Sequence, residues 1–124
     1  MNTERTKNNL PALAWNATLA SVARAHSADM AKNKYFDHTD LSGCSSACRV
    51  TNAGYTWRAV GENIYTMQGY NLSADATAQM IVSGWMNSPG HRANILDSQY
   101  QEDGVGVAQL GDSTYITADY GTPR

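Results

Sequence analysis

Residues 88–96 read Ser88-Pro89-Gly90-His91-Arg92-Ala93-Asn94-Ile95-Leu96. The Pro-Gly pair interrupts the helical pattern before it, and the residues that follow predict the first turn of a new helix. Because residues three apart share one side of a helix, His91 and Asn94 are expected to project together. An imidazole beside the unpaired N–H groups of a helix start is well placed for chemistry. The stretch therefore predicts a turn that presents a functional histidine.

Length and charge limit what the whole chain can be. Its 124 residues suffice for one domain over residues 1–124 and are too few for two cores. The formal net charge of −2 leaves no basic excess for phosphates, so we expect no nucleic-acid partner. No apolar run approaches the roughly 20 residues that cross a bilayer. Residues 1–9 are polar and fit a chain whose leader has been removed, and we expect a monomer without a transmembrane segment.

Apolar residues at helical spacing predict most of the secondary structure. The longest helix is expected over residues 17–34, with Asn16 as its cap and a buried stripe of Leu19, Val22, Ala23, His26 and Met30. A lone histidine on such a stripe is expected to be a core residue rather than a ligand, and this applies to His26. Further helices are expected over 46–53, over 74–87 with Ser73 as cap, and after Pro89.

Alternating apolar and polar residues predict three antiparallel strands. One covers residues 60–66, and the other two, residues 104–110 and 113–120, form a hairpin around Gly111-Asp112. Residues 10–15 are expected to be an apolar connector, and residues 68–72 a loop. A small sheet with this many helices implies a layered α+β domain whose helices cover both faces.

Two further residues are candidates for a site together with His91. His38 lies in an ordered loop between Asp37 and Asp40, where it is either a surface histidine or faces a cleft. Glu62 shares a strand face with apolar neighbours, so it must meet water at a sheet edge, be held by a cation such as Arg58, or belong to a site. Two neutral imidazoles and a carboxylate can bind zinc or another divalent metal.

Cys44 and Cys48 are the two cysteines of the chain. Residues four apart can come close enough for a small local disulfide, which we favour over two free thiols. A zinc pair is less favoured, because no second pair of Cys or His follows at the spacing of a zinc finger.

The sequence resembles the CAP superfamily, which includes cysteine-rich secretory proteins, venom allergens and plant pathogenesis-related proteins. It is similar to a compact bacterial SCP domain over about residues 3–121. The segments that carry the resemblance, in order, are LAWNATLASVARAHSADMA, YFDHTD, GENIY, WMNSPGHRANIL, GVGVA and YITADYG.

The resemblance implies an α-β-α sandwich, secretion or surface display, and a cleft built from two histidines and two acids. His38, Glu62 and His91 match three of these four residues. The second glutamate should follow Trp85 by three positions, where this chain has Ser88. Any second acid would then have to be Asp37 or Asp40. We expect Asn63, Asn94, Ser88 and Thr117 to surround the three ligands.

Three functions are consistent with this pattern. The first is a secreted, non-catalytic module whose cleft weakly binds zinc, another divalent metal or a small ligand, and which meets a protein or small-molecule partner. The second is a zinc-dependent hydrolase of protease or esterase type, in which Glu62 activates a water. The third is a lipid or sterol carrier, although no feature of the sequence marks an apolar groove.

Overall fold

A computed structural model describes residues 1–69 and 73–124. The predicted loop over residues 68–72 lies partly outside these residues, and within them Gln68 ends a strand instead. Five helices and four strands are described, in chain order: α1 (Asn2–Lys7), β1 (Ala14–Trp15), α2 (Ala17–Asn33), α3 (Ser46–Asn52), β2 (Trp57–Gln68), α4 (Ala74–Met86), α5 (Pro89–Ile95), β3 (Glu102–Leu110) and β4 (Ser113–Pro123).

The strands form one sheet in the order β1-β3-β4-β2. Strands β2, β3 and β4 are antiparallel as predicted, and the register places Glu62 of β2 opposite Asp119 of β4. The sheet has four strands rather than the three predicted. The additional strand, β1, lies in the segment predicted to be a connector and pairs in parallel with β3. A strand of two residues is too short to show an alternating pattern, so it could not be predicted from periodicity.

Helix α2 lies directly on one face of the sheet. Its predicted stripe is buried, and Asn16 caps it by accepting from the N–H of Leu19 at 2.9 Å. The helix approaches β3 at two glycines: a Cβ on Gly104 or Gly106 would lie about 2 Å from the main chain of α2. Glycine is therefore required at both positions, because any side chain would push α2 off the sheet.

The opposite face is covered by α1, α4 and α5. Trp85 and Ile81 of α4 and Ile95 of α5 pack with Ile116 and Tyr120 of β4 in one apolar cluster. The helices on both faces give the α-β-α sandwich that the resemblance implied.

Arg5 ties α1 to the end of α5. Its guanidinium is buried and donates to the carbonyls of Pro11, Ile95, Asp97 and Tyr100. Four main-chain acceptors satisfy a buried cation without a carboxylate partner.

The outer edge of β2 is closed by side chains instead of by another strand. The carbonyls of Val60, Glu62 and Ile64 point away from β4 and accept from Tyr100 Oη, Asn94 Nδ2 and Trp85 Nε1, at 3.2, 3.0 and 3.1 Å. An unpaired edge would leave these carbonyls exposed to pairing with another chain. The edge bonds also fix α4 and α5 against β2, which sets the position of His91.

Cys44 and Cys48 form a disulfide, as favoured from their spacing. The bond closes the turn before α3, whose cap Ser45 accepts from the N–H of Cys48. Within residues 1–69 and 73–124, every helix is too short or too polar to cross a lipid bilayer.

Candidate functional site

Glu62 is the centre of the candidate site. Its side chain is 1% exposed and lies on the face of the sheet that α2 covers. Oε1 accepts from Nδ1 of His38 at 3.0 Å, and Oε2 accepts from Nη2 of Arg49 at 2.7 Å. The structure therefore brings His38 and Glu62 together, as predicted, and adds a cation that the sequence analysis did not select.

Arg49, and not Arg58, neutralises Glu62. Arg58 is exposed on β2, whereas Arg49 reaches the carboxylate from the end of α3. Burial alone would raise the pKa of Glu62, but hydrogen bonds from His38 and Asp119 and the charge of Arg49 hold it below its ordinary value. Glu62 is thus a buried carboxylate that stays ionised because it is fully bonded.

Asp119 is the second acid next to Glu62. It lies opposite Glu62 in the strand register and is buried. No N–H or hydroxyl donor among the described residues reaches its oxygens, so its partner is the carboxyl group of Glu62 itself. Burial, with the hydrogen bond and charge of Glu62, raises the pKa of Asp119 well above its ordinary value. Asp119 is therefore the protonated member of the pair and donates to Glu62.

Asp37 and Asp40 do not take the place of the missing glutamate. Asp37 accepts from the N–H of Thr39, and Asp40 accepts from Ser42 and Cys44 within its own loop. Both carboxylates serve local turns.

His26 is buried on α2, as the core interpretation predicts, but it also borders the site. Its Nε2 lies 2.8 Å from the carbonyl of Asp37 and 4.0 Å from Oε1 of Glu62. Burial lowers the pKa of His26 despite the charge of Glu62. A neutral imidazole here donates to Asp37 and holds the loop that carries His38.

His91 occupies the first turn of α5, as predicted. Its Nδ1 is 2.8 Å from Oγ of Ser88, and its ring stacks on Trp85 with centroids 6.4 Å apart. Burial lowers the pKa of His91, and the charge of the nearby His38 lowers it further. His91 is consequently the more readily neutral of the two predicted histidine ligands, since the bond to Glu62 raises the pKa of His38.

The other predicted neighbours have different partners. Asn63 donates to the carbonyl of His91 and to Tyr120, while Asn94 donates to the carbonyl of Glu62 and to Oδ1 of Asn63. Both amides thus bind main-chain atoms of the predicted ligands instead of their side chains. Thr117 faces α2 and shares a hydrogen bond with Ser27. Of the four predicted neighbours, only Ser88 contacts the imidazole of a predicted ligand.

Two ring nitrogens are available to bind a metal ion: Nε2 of His38 and Nε2 of His91. In His38 and His91, Nδ1 is occupied, and Nε2 has no hydrogen-bond partner among the described residues. A metal-binding histidine usually has this arrangement, in which a carboxylate or other acceptor fixes the ring through its second nitrogen. Among residues 1–69 and 73–124, no three His, Cys, Asp or Glu side chains are grouped as a metal site requires. The three-ligand set of His38, Glu62 and His91 stays a prediction.

A comparison with known families identifies the fold. The family model of the cysteine-rich secretory protein family, or CAP family, matches residues 1–120. The chain belongs to this family. The resemblance drawn from the sequence motifs is confirmed.

Two curated CAP relatives come from Bacillus subtilis (strain 168). The uncharacterized protein YkwD is 37% identical over 110 residues, which are 89% of this chain and 40% of YkwD. The uncharacterized membrane protein YlbC is 37% identical over 119 residues, 96% of this chain and 31% of YlbC. The chain spans less than half the length of these curated relatives.

Solved structures similar to this chain include one bacterial extracellular protein and one bacterial outer surface protein. An extracellular SCP-domain protein from Bacillus anthracis has a TM-score of 0.83 and 34% identity, covering 98% of this chain and 37% of that one. An outer surface protein from Borrelia burgdorferi has a TM-score of 0.86 and covers 99% of this chain and 86% of that one. At 20% identity the second structure shows the fold alone.

Two site residues of this CAP domain, Arg49 and Asp119, were not predicted from the sequence. Asp119 had a partial signal, because it alternates with Thr117 on a strand predicted in the same small sheet as the strand of Glu62. Arg49 had none, since its contact with Glu62 depends on how the segment from residue 40 to α3 folds.

Proposed function

We propose that this CAP domain acts outside the cell or on its surface and binds a divalent metal ion, best zinc, through His38 and His91 without catalysing a reaction. The observation that carries the proposal is the shared state of the two imidazoles. Each is fixed through Nδ1 and has Nε2 free of protein partners among the described residues. Secretion is proposed from the extracellular relatives.

The chemistry of the donors favours zinc. Imidazole nitrogens suit zinc and other transition metals better than they suit magnesium or calcium. Two protein ligands bind more weakly than a closed set of four and leave positions for water or for a small ligand. Once bound, the ion would act as a Lewis acid towards whatever occupies those positions. Glu62 would orient His38 and supply negative charge behind it.

The state of Glu62 supports a binding site over a hydrolase. A hydrolytic water needs a base with a free oxygen and a pKa near the working pH. Both oxygens of Glu62 are bonded, and its pKa is below the ordinary value. Ser88 and His91 share a hydrogen bond, as a nucleophile and its base would, but the bond is a local one within a single helical turn. No described residue binds the other ring nitrogen of His91, so the third group that orients a catalytic base is absent among the described residues.

Calorimetric titration with zinc tests the proposal. Wild type should bind one ion, and either His38→Ala or His91→Ala should weaken the affinity at least about tenfold, because only two protein ligands are present. Asp112→Asn, a substitution in the turn between β3 and β4 and away from both imidazoles, is the control and should keep the wild-type affinity. Equal zinc affinity in wild type and the double variant His38→Ala/His91→Ala would contradict the proposal.

An apolar groove supports a second candidate, carriage of a lipid or sterol. The groove lies between α4 and the sheet, holds about 540 Å³, and is lined mainly by apolar side chains that include Met67, Ile81, Trp85 and Ile116. This volume is within the range of small-molecule sites, which are mostly apolar.

Native mass spectrometry after incubation with palmitate tests carriage. Wild type should retain a palmitate adduct, and Ala78→Trp should lose it, because Ala78 lines the groove and an indole would fill it. Gln79→Trp places the same group on α4 outside the groove lining and should keep the adduct. A wild type without an adduct would rule out this candidate.

A further inference from the structure

The Cys44–Cys48 disulfide closes a segment that we call the disulfide loop, residues 40–48. Its main chain bonds back on itself: the N–H of Asp40 donates to the carbonyl of Cys44, and the N–H of Gly43 donates to the carbonyl of Asp40, both at 3.0 Å. The Asp40 carboxylate accepts from the N–H of Cys44 at 2.9 Å. The disulfide and these bonds together fix the carbonyl of Cys44.

Arg49 connects the disulfide loop to the candidate site. It follows Cys48 directly, and its Nη1 donates to the carbonyls of Cys44 and His38 at 3.0 and 2.7 Å. Its Nη2 holds Glu62, which in turn holds the ring of His38. The guanidinium side chain is 11% exposed, so water competes weakly for these bonds. Displacement of the disulfide loop would therefore move Arg49 and change two contacts of His38: the bond from Arg49 to its carbonyl and the bond from its ring to Glu62.

The disulfide is reachable and closes a small ring. Both cysteines are half-buried, so a thiol reagent can approach them. The bridge spans a sequence separation of 4, and a bond that closes so short a ring removes little chain entropy. Its contribution to overall stability is thus at the low end of the usual range, and the fold should survive its reduction.

Resting on the proposed function, we propose that the Cys44–Cys48 disulfide is a redox control of the two-histidine site. The oxidised protein holds Arg49, Glu62 and His38 in place, and the reduced protein releases them. The reductant is a dithiol. One of its thiolates attacks one cysteine sulfur, which forms a mixed disulfide and releases the other cysteine as a thiolate that takes up a proton. The reagent's second thiolate then attacks the reagent sulfur of the mixed disulfide, which closes the reagent into a disulfide and releases the first cysteine as a thiolate that takes up the second proton. Two electrons and two protons pass to Cys44 and Cys48.

Two NMR measurements test whether the disulfide controls the two-histidine site. On reduction with dithiothreitol, amide exchange at Asp40, Gly43 and Cys44 should accelerate at least about tenfold, while amides of β4 stay protected. The ring Cε1–H signal of His38 should shift at constant pH, since its carbonyl and its Nδ1 partner both change. The double variant Cys44→Ser/Cys48→Ser should reproduce both effects without thiols, and Ser46→Ala, which keeps the disulfide, should reproduce neither.

The outcomes separate this proposal from the function on which it rests. Unchanged exchange in the disulfide loop would overturn it, and so would faster exchange without a shift of the His38 signal. Zinc titration of the double serine variant is a separate readout, expected to give at least about tenfold weaker affinity than the oxidised wild type. If neither form binds zinc, the proposed function fails while the two NMR readouts still decide whether the disulfide controls His38.

Discussion

At the scale of single residues, the site is a chain of bonds around one buried carboxylate. Asp119 donates to Glu62, Arg49 neutralises it, and His38 is oriented by it. An ionised carboxylate in an apolar layer would be costly to bury alone, and each of these partners reduces that cost. The position of the His38 ring is therefore determined by residues from three separate parts of the chain.

Asp119→Asn should raise the stability of the protein at pH 7. The raised pKa of Asp119 means that the unfolded chain ionises at lower pH than the folded one, so stability falls as pH rises from about 4 towards the folded pKa. Asparagine is neutral at every pH, and its amide can still donate to Glu62. We expect a gain on the order of 1 kcal/mol at pH 7 and little gain at pH 4, measured by urea unfolding.

Asp112→Asn in the β3–β4 turn is the control and should change neither value. A clear loss of stability in Asp119→Asn at pH 7 would mean that Asp119 is ionised and held by a cation.

Only some of the site residues could be predicted from the sequence. His38, Glu62 and His91 were selected from the sequence because they match the family motifs at defined positions. Asp119 lies 57 positions from Glu62 (119 minus 62) and becomes its neighbour only through the β2–β4 register. Arg49 and Arg58 are equally good cations in sequence, and only the folded segment before α3 selects between them.

At the scale of elements, α5 is held by its bonds to the edge of β2. Asn94 and Asn63 bond to each other and to the carbonyls of Glu62 and His91. We call Asn63 and Asn94 the asparagine clip, because together they position His91. The family motif alone did not show whether these amides contact the side chains of the predicted ligands or their main chain. Helices α2 and α4 and the three longer strands were predictable from periodicity, whereas β1 and this clip depend on contacts between distant segments.

Asn94→Asp should destabilise the protein and loosen α5. A carboxylate cannot donate, so the carbonyl of Glu62 and Oδ1 of Asn63 would lose their donor, at a cost of about 1 to 3 kcal/mol. Urea unfolding measures the loss, and amide exchange in α5 should accelerate. Asn87→Asp, an exposed change at the end of α4, is the matched control. Equal stability of the two variants would show that the clip contributes nothing.

At the scale of the whole molecule, the histidines make stability depend on pH in opposite directions. The pKa of His26 is lowered, so the unfolded chain binds its proton first and stability is lost as pH falls below about 6.5. The pKa of His38 is raised, so its contribution is present below about 6.5 and is lost as pH rises through the folded value.

Urea unfolding between pH 4.5 and 8.5 separates these two contributions. Because Asp119 acts over part of the same range, each variant is compared with wild type at every pH. His26→Gln should reduce the loss of stability on the acid side, and His38→Gln should reduce it on the alkaline side. If His26→Gln changes stability by the same amount at pH 5 and pH 7.5, His26 is not the neutral imidazole described above.

Zinc binding should follow the protonation of His38. Its raised pKa makes protons compete at higher pH than for an ordinary histidine, so zinc affinity should fall as pH drops through that value. An affinity that stays constant from pH 5 to 8 would argue against histidine ligands.

The most direct measurement is a crystal structure of the oxidised protein grown with zinc, with diffraction data collected at the zinc absorption edge. We expect one anomalous peak about 2.0 to 2.1 Å from Nε2 of both His38 and His91. Glu62 should keep its bonds to His38 and Arg49. Zinc-loaded crystals without a peak between the two imidazoles, or with a peak only at other residues, would contradict zinc binding by His38 and His91.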